Sequence, residues 1–252
     1  MKSSWKGRIY MTEKCSDPRL LDVEENYKRI ADRVAQAAVR SGRQPEDVSL
    51  LAATKTVQPE YINHAIACGL RFVGENRVQE LLEKYDRLDL DRGVSCQMIG
   101  RLQTNKVKYI VDKVDCIQSV DSVKLAGEIS RLSERIRRRM PVLVEVNIGE
   151  ESNKGGVLPE KLYEFLAEIS AFPGIQIEGL MAIPPICVEK TELCNYFSRM
   201  KQYFIDIGAK KIDNVSMNCL SMGMSSDYEE AILCGATMVR VGSALFGQRI
   251  YP

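Results

Sequence analysis

SLLAATKTVQPE, residues 49–60, runs an apolar stretch into a lysine and the lysine into a helix start. Leu50, Leu51, Ala52 and Ala53 show no polar alternation, as in a strand buried on both faces of a parallel sheet. Pro59 suits the first turn of a helix. The stretch therefore reads as one strand-to-helix unit, with Lys55 just past the strand's C-terminal end. Whether the unit repeats decides the fold.

It repeats. Apolar runs recur at VSLLAATK (48–55), LRFVGEN (70–76), VSCQMIG (94–100), DCIQSV (115–120), PVLVEVNI (141–148), IQIEGLMAI (175–183), VSMNCLSMG (215–223) and ATMVRVGSALFG (236–247). Helical patterns lie between them: PEYINHAIACG, NRVQELLEKYDRL, QTNKVKYIVDKV, DSVKLAGEISRLSERIRRR with Asp121 as its cap, LPEKLYEFLAEISAF, EKTELCNYFSRMKQYFIDIG, and SSDYEEAILCG with a Ser226-x-x-Glu229 capping box. Eight strands alternating with helices in 252 residues predict a single α/β domain, a closed (β/α)8 TIM barrel. A doubly wound open sheet is the competing architecture. It is disfavoured because no Gly-rich dinucleotide turn follows the first strand. An extra helix, Pro18 to Ser41, precedes the barrel, with Asp17 and Pro18 at its start and Gly42 at its end. The eighth run leaves room only for a short last helix, so the first helix is expected to cover that side. The expected organisation is a flexible tail at 1–16 and a barrel domain at 17–252.

Composition narrows the function. Hydrophobic residues make up 45% and charged residues 27%, and the formal net charge is +1, so no global field draws the chain to nucleic acid or membrane. The basic run RIRRR, 135–139, reads as a solvated helix end. No pair of the eight cysteines has C-x-x-C spacing and His64 is the sole histidine, so no metal site is expected. Cys96, Cys116, Cys219 and Cys234 read as reduced core residues. With no signal-peptide pattern and no span-length apolar run, a cytoplasmic protein is expected.

Barrels of this kind act at the C-terminal ends of their strands. Those ends carry Lys55, Asn76, Gly100, Gln103, Asn105, Ser119, Asn147, Met181, Ser221, Gly223, Ser225, Gly242 and Ser243, with Arg240 inside the last strand. A lysine at a barrel mouth can stay hydrated. Desolvated, it becomes a neutral amine, a nucleophile toward carbonyls and a Schiff-base former. Gly242 and Ser243 open a helical turn, and Ser221-Met222-Gly223-Met224-Ser225 is a second small, hydroxyl-rich turn. Both stand after strands seven and eight, where barrels commonly hold phosphate. Arg240 shares a strand face with Gly242 and so points inward, where it needs Glu145, Glu178 or a bound acceptor as partner. An amine, a phosphate cradle and an inward arginine together suit pyridoxal 5′-phosphate.

ATKT around Lys55, VGENRVQE (73–80), MIGRLQTNK (98–106), GLMAI (179–183), LSMGMSSD (220–227) and MVRVGSALFG (238–247) give the chain a specific resemblance. It resembles the pyridoxal phosphate homeostasis protein family, also called the proline synthase co-transcribed homologue family. The resemblance implies the barrel of the alanine racemase N-terminal domain, a fold-type III pyridoxal-phosphate binder. It implies an aldimine at Lys55, phosphate contacts at Ser221, Gly242 and Ser243, a ring-nitrogen contact at Arg240, and Asn76 near the cofactor. It implies no catalytic residue. The role is to hold pyridoxal phosphate and pass it on, with apo-enzymes that need it as recipients. A small amino-acid racemase or decarboxylase is the alternative.

One departure shows. Gln97 stands where the family usually has a histidine, before Ile99-Gly100. An arginine at the ring nitrogen keeps that nitrogen unprotonated and weakens the electron sink that catalysis needs. With the chain ending at Pro252, the second domain of the racemases is not expected, and a monomer follows as the expectation. His64 is expected to face solvent.

Overall fold

The computed structural model describes residues 17–187 and 189–247. The expected tail at 1–16 lies outside them. Eight strands form a closed barrel in sequence order, every neighbour parallel. They are β1 (Ser49–Ala53), β2 (Phe72–Glu75), β3 (Ser95–Met98), β4 (Cys116–Val120), β5 (Met140–Val146), β6 (Ile175–Ala182), β7 (Val215–Ser221) and β8 (Met238–Val241). Each falls within a predicted run except β5, which begins one residue earlier, at Met140. Closure pairs Leu51 of β1 with Arg240 of β8, which brings the first and last strand ends together.

The helices are α1 (Pro18–Arg40), α2 (Pro59–Ala67), α3 (Val78–Lys84), α4 (Val123–Arg135), α5 (Leu162–Ile169), α6 (Lys190–Ala209), α7 (Tyr228–Leu233) and α8 (Ser243–Phe246). As expected, α8 is a single turn and α1 covers its side. Asp17 caps α1 by accepting from the Arg19 N–H at 2.9 Å. Asn26 of α1 donates to the Leu245 carbonyl at 3.2 Å, and Arg33 and Arg40 both pair with Glu229 of α7. The seam between α7 and α8 is thus closed by a helix from the start of the chain.

Three local expectations change. QTNKVKYIVDKV keeps its apolar spacing, with Val107, Ile110, Val111 and Val114 buried, but closes as a 3₁₀ segment over Thr104–Tyr109. Its N–H groups reach three residues back, as Lys106 does to Gln103. The Ser226–Glu229 capping box does not form. Asp227 holds that position and accepts from the Met224 N–H at 2.6 Å, while Glu229 is committed to the arginines of α1. Ser122, not Asp121, precedes α4. Helix α4 ends at Arg135, and Arg137 and Arg139 of the basic run are exposed beyond it.

The large core lies between barrel and helices. A second, small cluster fills the barrel itself: Leu51, Ile99 and Met238, with Ala53, Phe72 and Cys219 against them. Gly179 lets β6 and β7 meet where the register shifts. At its φ of +152°, a Cβ would lie 1.8 Å from the Cys219 carbonyl oxygen. Cys96 is buried, Cys116, Cys219 and Cys234 are half-buried, and all four are free thiols. Burial pushes Cys96 up to about 12 and Cys219 to about 11, so both stay protonated and inert. No described helix is long and apolar enough to cross a membrane.

Candidate functional site

Lys55 leaves β1 half-buried, and the chain turns sharply behind it. Thr56 has φ +64°, a left-handed conformation that a β-branched residue rarely adopts. Something must hold it there. The Thr56 N–H donates to Glu80 Oε2 at 2.8 Å and its hydroxyl to the Lys55 carbonyl at 2.6 Å. On the other side of Lys55, Thr54 is fully buried, and its hydroxyl reaches Glu75 Oε1 at 2.7 Å. Lys84 Nζ joins the two halves. It donates to Glu75 Oε1 at 2.7 Å and to the Thr54 carbonyl at 2.9 Å, and lies 3.5 Å from Glu80. Burial raises the Glu75 carboxyl above its usual range, while Lys84 and Thr54 pull it back. The turn that presents Lys55 is therefore fixed from behind, between the barrel and α3.

Lys55 opens onto a cleft shared with Gly242, Ser243 and Gly247, with Arg19 of α1 at its side. Gly242 passes close to β1: a Cβ there would sit 3.2 Å from the Ala53 carbonyl oxygen. The backbone N–H groups of Gly242 and Ala244 converge on one oxygen, Ser225 Oγ, at 3.1 and 3.3 Å. Two backbone donors thus meet at the Ser225 hydroxyl, and Gly242 and the exposed Ser243 line the cleft with Lys55. That is an anion-binding donor set.

Ser221 stands elsewhere. It is wholly buried inside the barrel, where its hydroxyl accepts from Arg240 at 2.5 Å and donates to Gln118 Oε1 at 2.7 Å. In the turn after β7, Ser225 is the serine that the Gly242 and Ala244 N–H groups reach. Arg240 points inward as expected and is 4% exposed. Neither expected carboxylate pairs with it. Glu178 accepts from Asn218 at 2.7 Å, and Glu145 acts on Arg240 only as a nearby charge. Arg240 instead donates to Ser221 and to the Ala182 carbonyl, at 2.9 Å. Its other N–H groups have no protein partner among the described residues. Burial pulls the guanidinium down to about 10, so it remains charged at neutral pH. Glu145 is pushed up to about 6, first by burial and then by Asp121, against Arg240 and Arg101.

Asn76 is not brought to the Lys55 cleft. It lines a neighbouring recess with Arg77, Arg101 and Lys106, and its Oδ1 is buried without a hydrogen bond. His64 does not face solvent either. It packs between α1 and α2, its Nε2 3.6 Å from Glu24 and its side chain 24% exposed. Glu75, Lys84 and Gln118 are buried polar residues behind Lys55 and Arg240 that the sequence pattern does not single out, and Gln97 stands out there only as the departure from the family's histidine. The available signal was a polar side chain inside an apolar strand run, as in FVGEN, SCQMI and CIQSV.

Comparison with known proteins agrees with this fold. The family model for the alanine racemase N-terminal domain matches residues 23–250. The pyridoxal phosphate homeostasis protein of Aquifex aeolicus is 44% identical over 228 residues, spanning 90% of this chain and 98% of its own. A solved structure of a Bifidobacterium adolescentis protein superposes with a TM-score of 0.87 at 36% identity, covering 92% of this chain and 98% of that one. PipY of Synechococcus elongatus, solved with pyridoxal phosphate bound, gives a TM-score of 0.74 at 34% identity, covering 86% of this chain and all of its own. Matches of this length and identity leave one assignment: the chain carries the alanine racemase N-terminal domain and belongs to the pyridoxal phosphate homeostasis protein family.

Proposed function

We propose that the protein binds pyridoxal 5′-phosphate at the Lys55 cleft and serves its homeostasis, holding the cofactor and releasing it to amines. The observation that carries this reading is Arg240. A buried guanidinium with no ion pair and with unspent donors is costly unless a ligand supplies the missing acceptor. A neutral pyridine nitrogen is such an acceptor. The cradle suits the phosphate, because the Gly242 and Ala244 N–H groups already converge on a single oxygen. Ser225 and Ser243 add hydroxyls, and Ser225 takes the place first given to Ser221.

Bound there, the cofactor supplies an aldehyde carbon to which an amine can add. Lys55 is the amine that would hold that carbon, and a free amine would compete with it for the same carbon. Arg240 would donate to the ring nitrogen rather than protonate it, which would disfavour carbanion chemistry. His64 lies between α1 and α2, away from the cleft, and offers no base there. The role is therefore that of a monomeric cytoplasmic carrier, with cofactor-requiring apo-enzymes as recipients, rather than of a racemase or decarboxylase.

Borohydride reduction of the loaded protein followed by peptide mass mapping tests the site. The pyridoxyl group should appear on Lys55 and disappear from that peptide in Lys55→Ala. Its appearance on another lysine only would overturn the assignment. Amino acids incubated with the protein in deuterated water should keep their α-proton; exchange above background would make the protein an enzyme.

A further inference from the structure

Four polar side chains cross the inside of the barrel from β8 to β3. Arg240 donates to Ser221 Oγ at 2.5 Å. The Ser221 hydroxyl donates to Gln118 Oε1 at 2.7 Å, and Gln118 Nε2 donates to Gln97 Oε1 at 2.6 Å. Gln97 Nε2 ends the chain on Ser95 Oγ at 3.1 Å. All but the half-buried Ser95 are buried: Gln118 and Ser221 completely, Arg240 to 4% and Gln97 to 5% exposure.

The direction of the chain is forced by its first member. A guanidinium has only donors. Ser221, having accepted from it, has one proton left and must give it onward. Gln118 must then turn its oxygen to Ser221 and its amide nitrogen to Gln97. Each link has one arrangement that satisfies every group, so the orientation of Arg240 is set by residues on β4 and β3, across the barrel. Gln118 Nε2 also lies 3.2 Å from Met238 Sδ, an acceptor only, which favours the same orientation of the amide.

We propose that Gln97 and Gln118 are positioning residues, which hold the Arg240 guanidinium through Ser221 so that its unspent N–H groups meet the cofactor's ring nitrogen. This rests on the functional reading above. It goes beyond that reading by assigning the interior glutamines, neither of which lines the Lys55 cleft, a part in cofactor binding. The physical basis is preorganisation: a donor already fixed by neighbours need not be ordered when the ligand arrives.

The test uses Gln118→Met and Gln97→Met, which keep side-chain volume and remove the amide. Pyridoxal phosphate labelled with ¹⁵N in the ring is bound to each, and the ring-nitrogen shift and the dissociation constant are measured. Gln118→Met leaves the Ser221 hydroxyl without its acceptor and should weaken binding about tenfold; Gln97→Met should weaken it about threefold. In both, the ¹⁵N shift should move away from the wild-type position, a change that a loss of general stability would not produce in the folded, loaded protein. Should Gln118→Met fail to fold, Gln97→Met decides alone. Unmoved shifts and unchanged affinity in the folded variants would overturn the positioning role while leaving the Lys55 site intact. Failure of the wild type to bind the labelled cofactor at Lys55 would instead remove the reading on which the proposal rests.

Discussion

The turn carrying Lys55 and the barrel interior carrying Arg240 both rest on buried polar groups, but they are held by different means. Behind Lys55, between barrel and helix layer, sits an ionic cluster: Glu75, Lys84 and Glu80 with Thr54. Beneath Arg240 lies a line of neutral groups, Ser221, Gln118 and Gln97. The ionic cluster restrains backbone, since Lys84 binds the Thr54 carbonyl and Glu80 binds the Thr56 N–H. The neutral line restrains one side chain. A strained backbone turn needs strong, multivalent anchors. A guanidinium aimed at a ligand needs direction without a competing charge. A carboxylate paired to Arg240 would satisfy it internally and leave less for the cofactor.

Removing Lys84 should break this contrast most severely. In Lys84→Met, Glu75 keeps Thr54 but loses its cation in a site where it is 2% exposed. Orphaning a buried ion costs about 3 kcal/mol or more. Glu75 limits the loss by protonating. Its folded pKa is already raised, and losing Lys84 raises it further. The native state then binds a proton that the unfolded state has released, so stability falls as pH rises through that window. Urea unfolding should therefore show a larger deficit for the variant at about pH 8 than at about pH 5. An equal deficit at both would mean that Lys84 acts by packing alone. Borohydride trapping at Lys55 should fall in parallel, because the turn loses its anchor.

Glu145 tests the other side. Its carboxyl is pushed up to about 6 from an ordinary 4.5, chiefly by burial. By the same sign, this group withdraws stability as pH rises from the unfolded pKa through the folded one. Glu145→Gln should remove the penalty. The variant should be more stable than wild type by about 2 kcal/mol at pH 8 and by less than half of that at about pH 5. Wild-type stability equal to the variant's at pH 8 would show that Arg240 and Arg101 compensate Glu145 fully. Binding affinity should change little, since Glu145 makes no hydrogen bond to Arg240.

The contrast also explains what the sequence could reveal. Strands β1 to β8 were legible because parallel strands buried on both faces are written as apolar runs. That Lys55, Gly242 and Ser243 lie together followed from their places at strand ends, because closure pairs β1 with β8. Ser221 and Ser225 show the limit. They stand four residues apart, one ending β7 and one in the turn after it, and only the path of that turn decides which hydroxyl meets the Gly242 N–H. Asn76 has the right strand end, but the chain carries it into the neighbouring recess. Glu75 and Lys84 were opaque for another reason. Nine residues apart on a strand and a helix, they read singly as a strand-end acid and a helix-surface base. Only packing of α3 onto β2 makes them a pair.

The smallest effect belongs to Glu80, and it separates charge from geometry within the ionic cluster. Glu80 Oε2 accepts from the Thr56 N–H at 2.8 Å but lies 3.5 Å from Lys84, too far for a strong bond. If Glu80 serves mainly to pin the left-handed turn, Glu80→Gln should keep that bond through its amide oxygen and cost less than about 1 kcal/mol. Glu80→Ala should cost more, because the Thr56 N–H loses its acceptor and the φ of +64° loses a restraint. The relevant readout is the ratio of the two losses, together with the rate of Lys55 trapping. A Gln variant as damaged as the Ala variant would make Glu80 a third full member of the ion cluster. The turn would then be held by net charge rather than by two directed bonds, one from each side of Lys55.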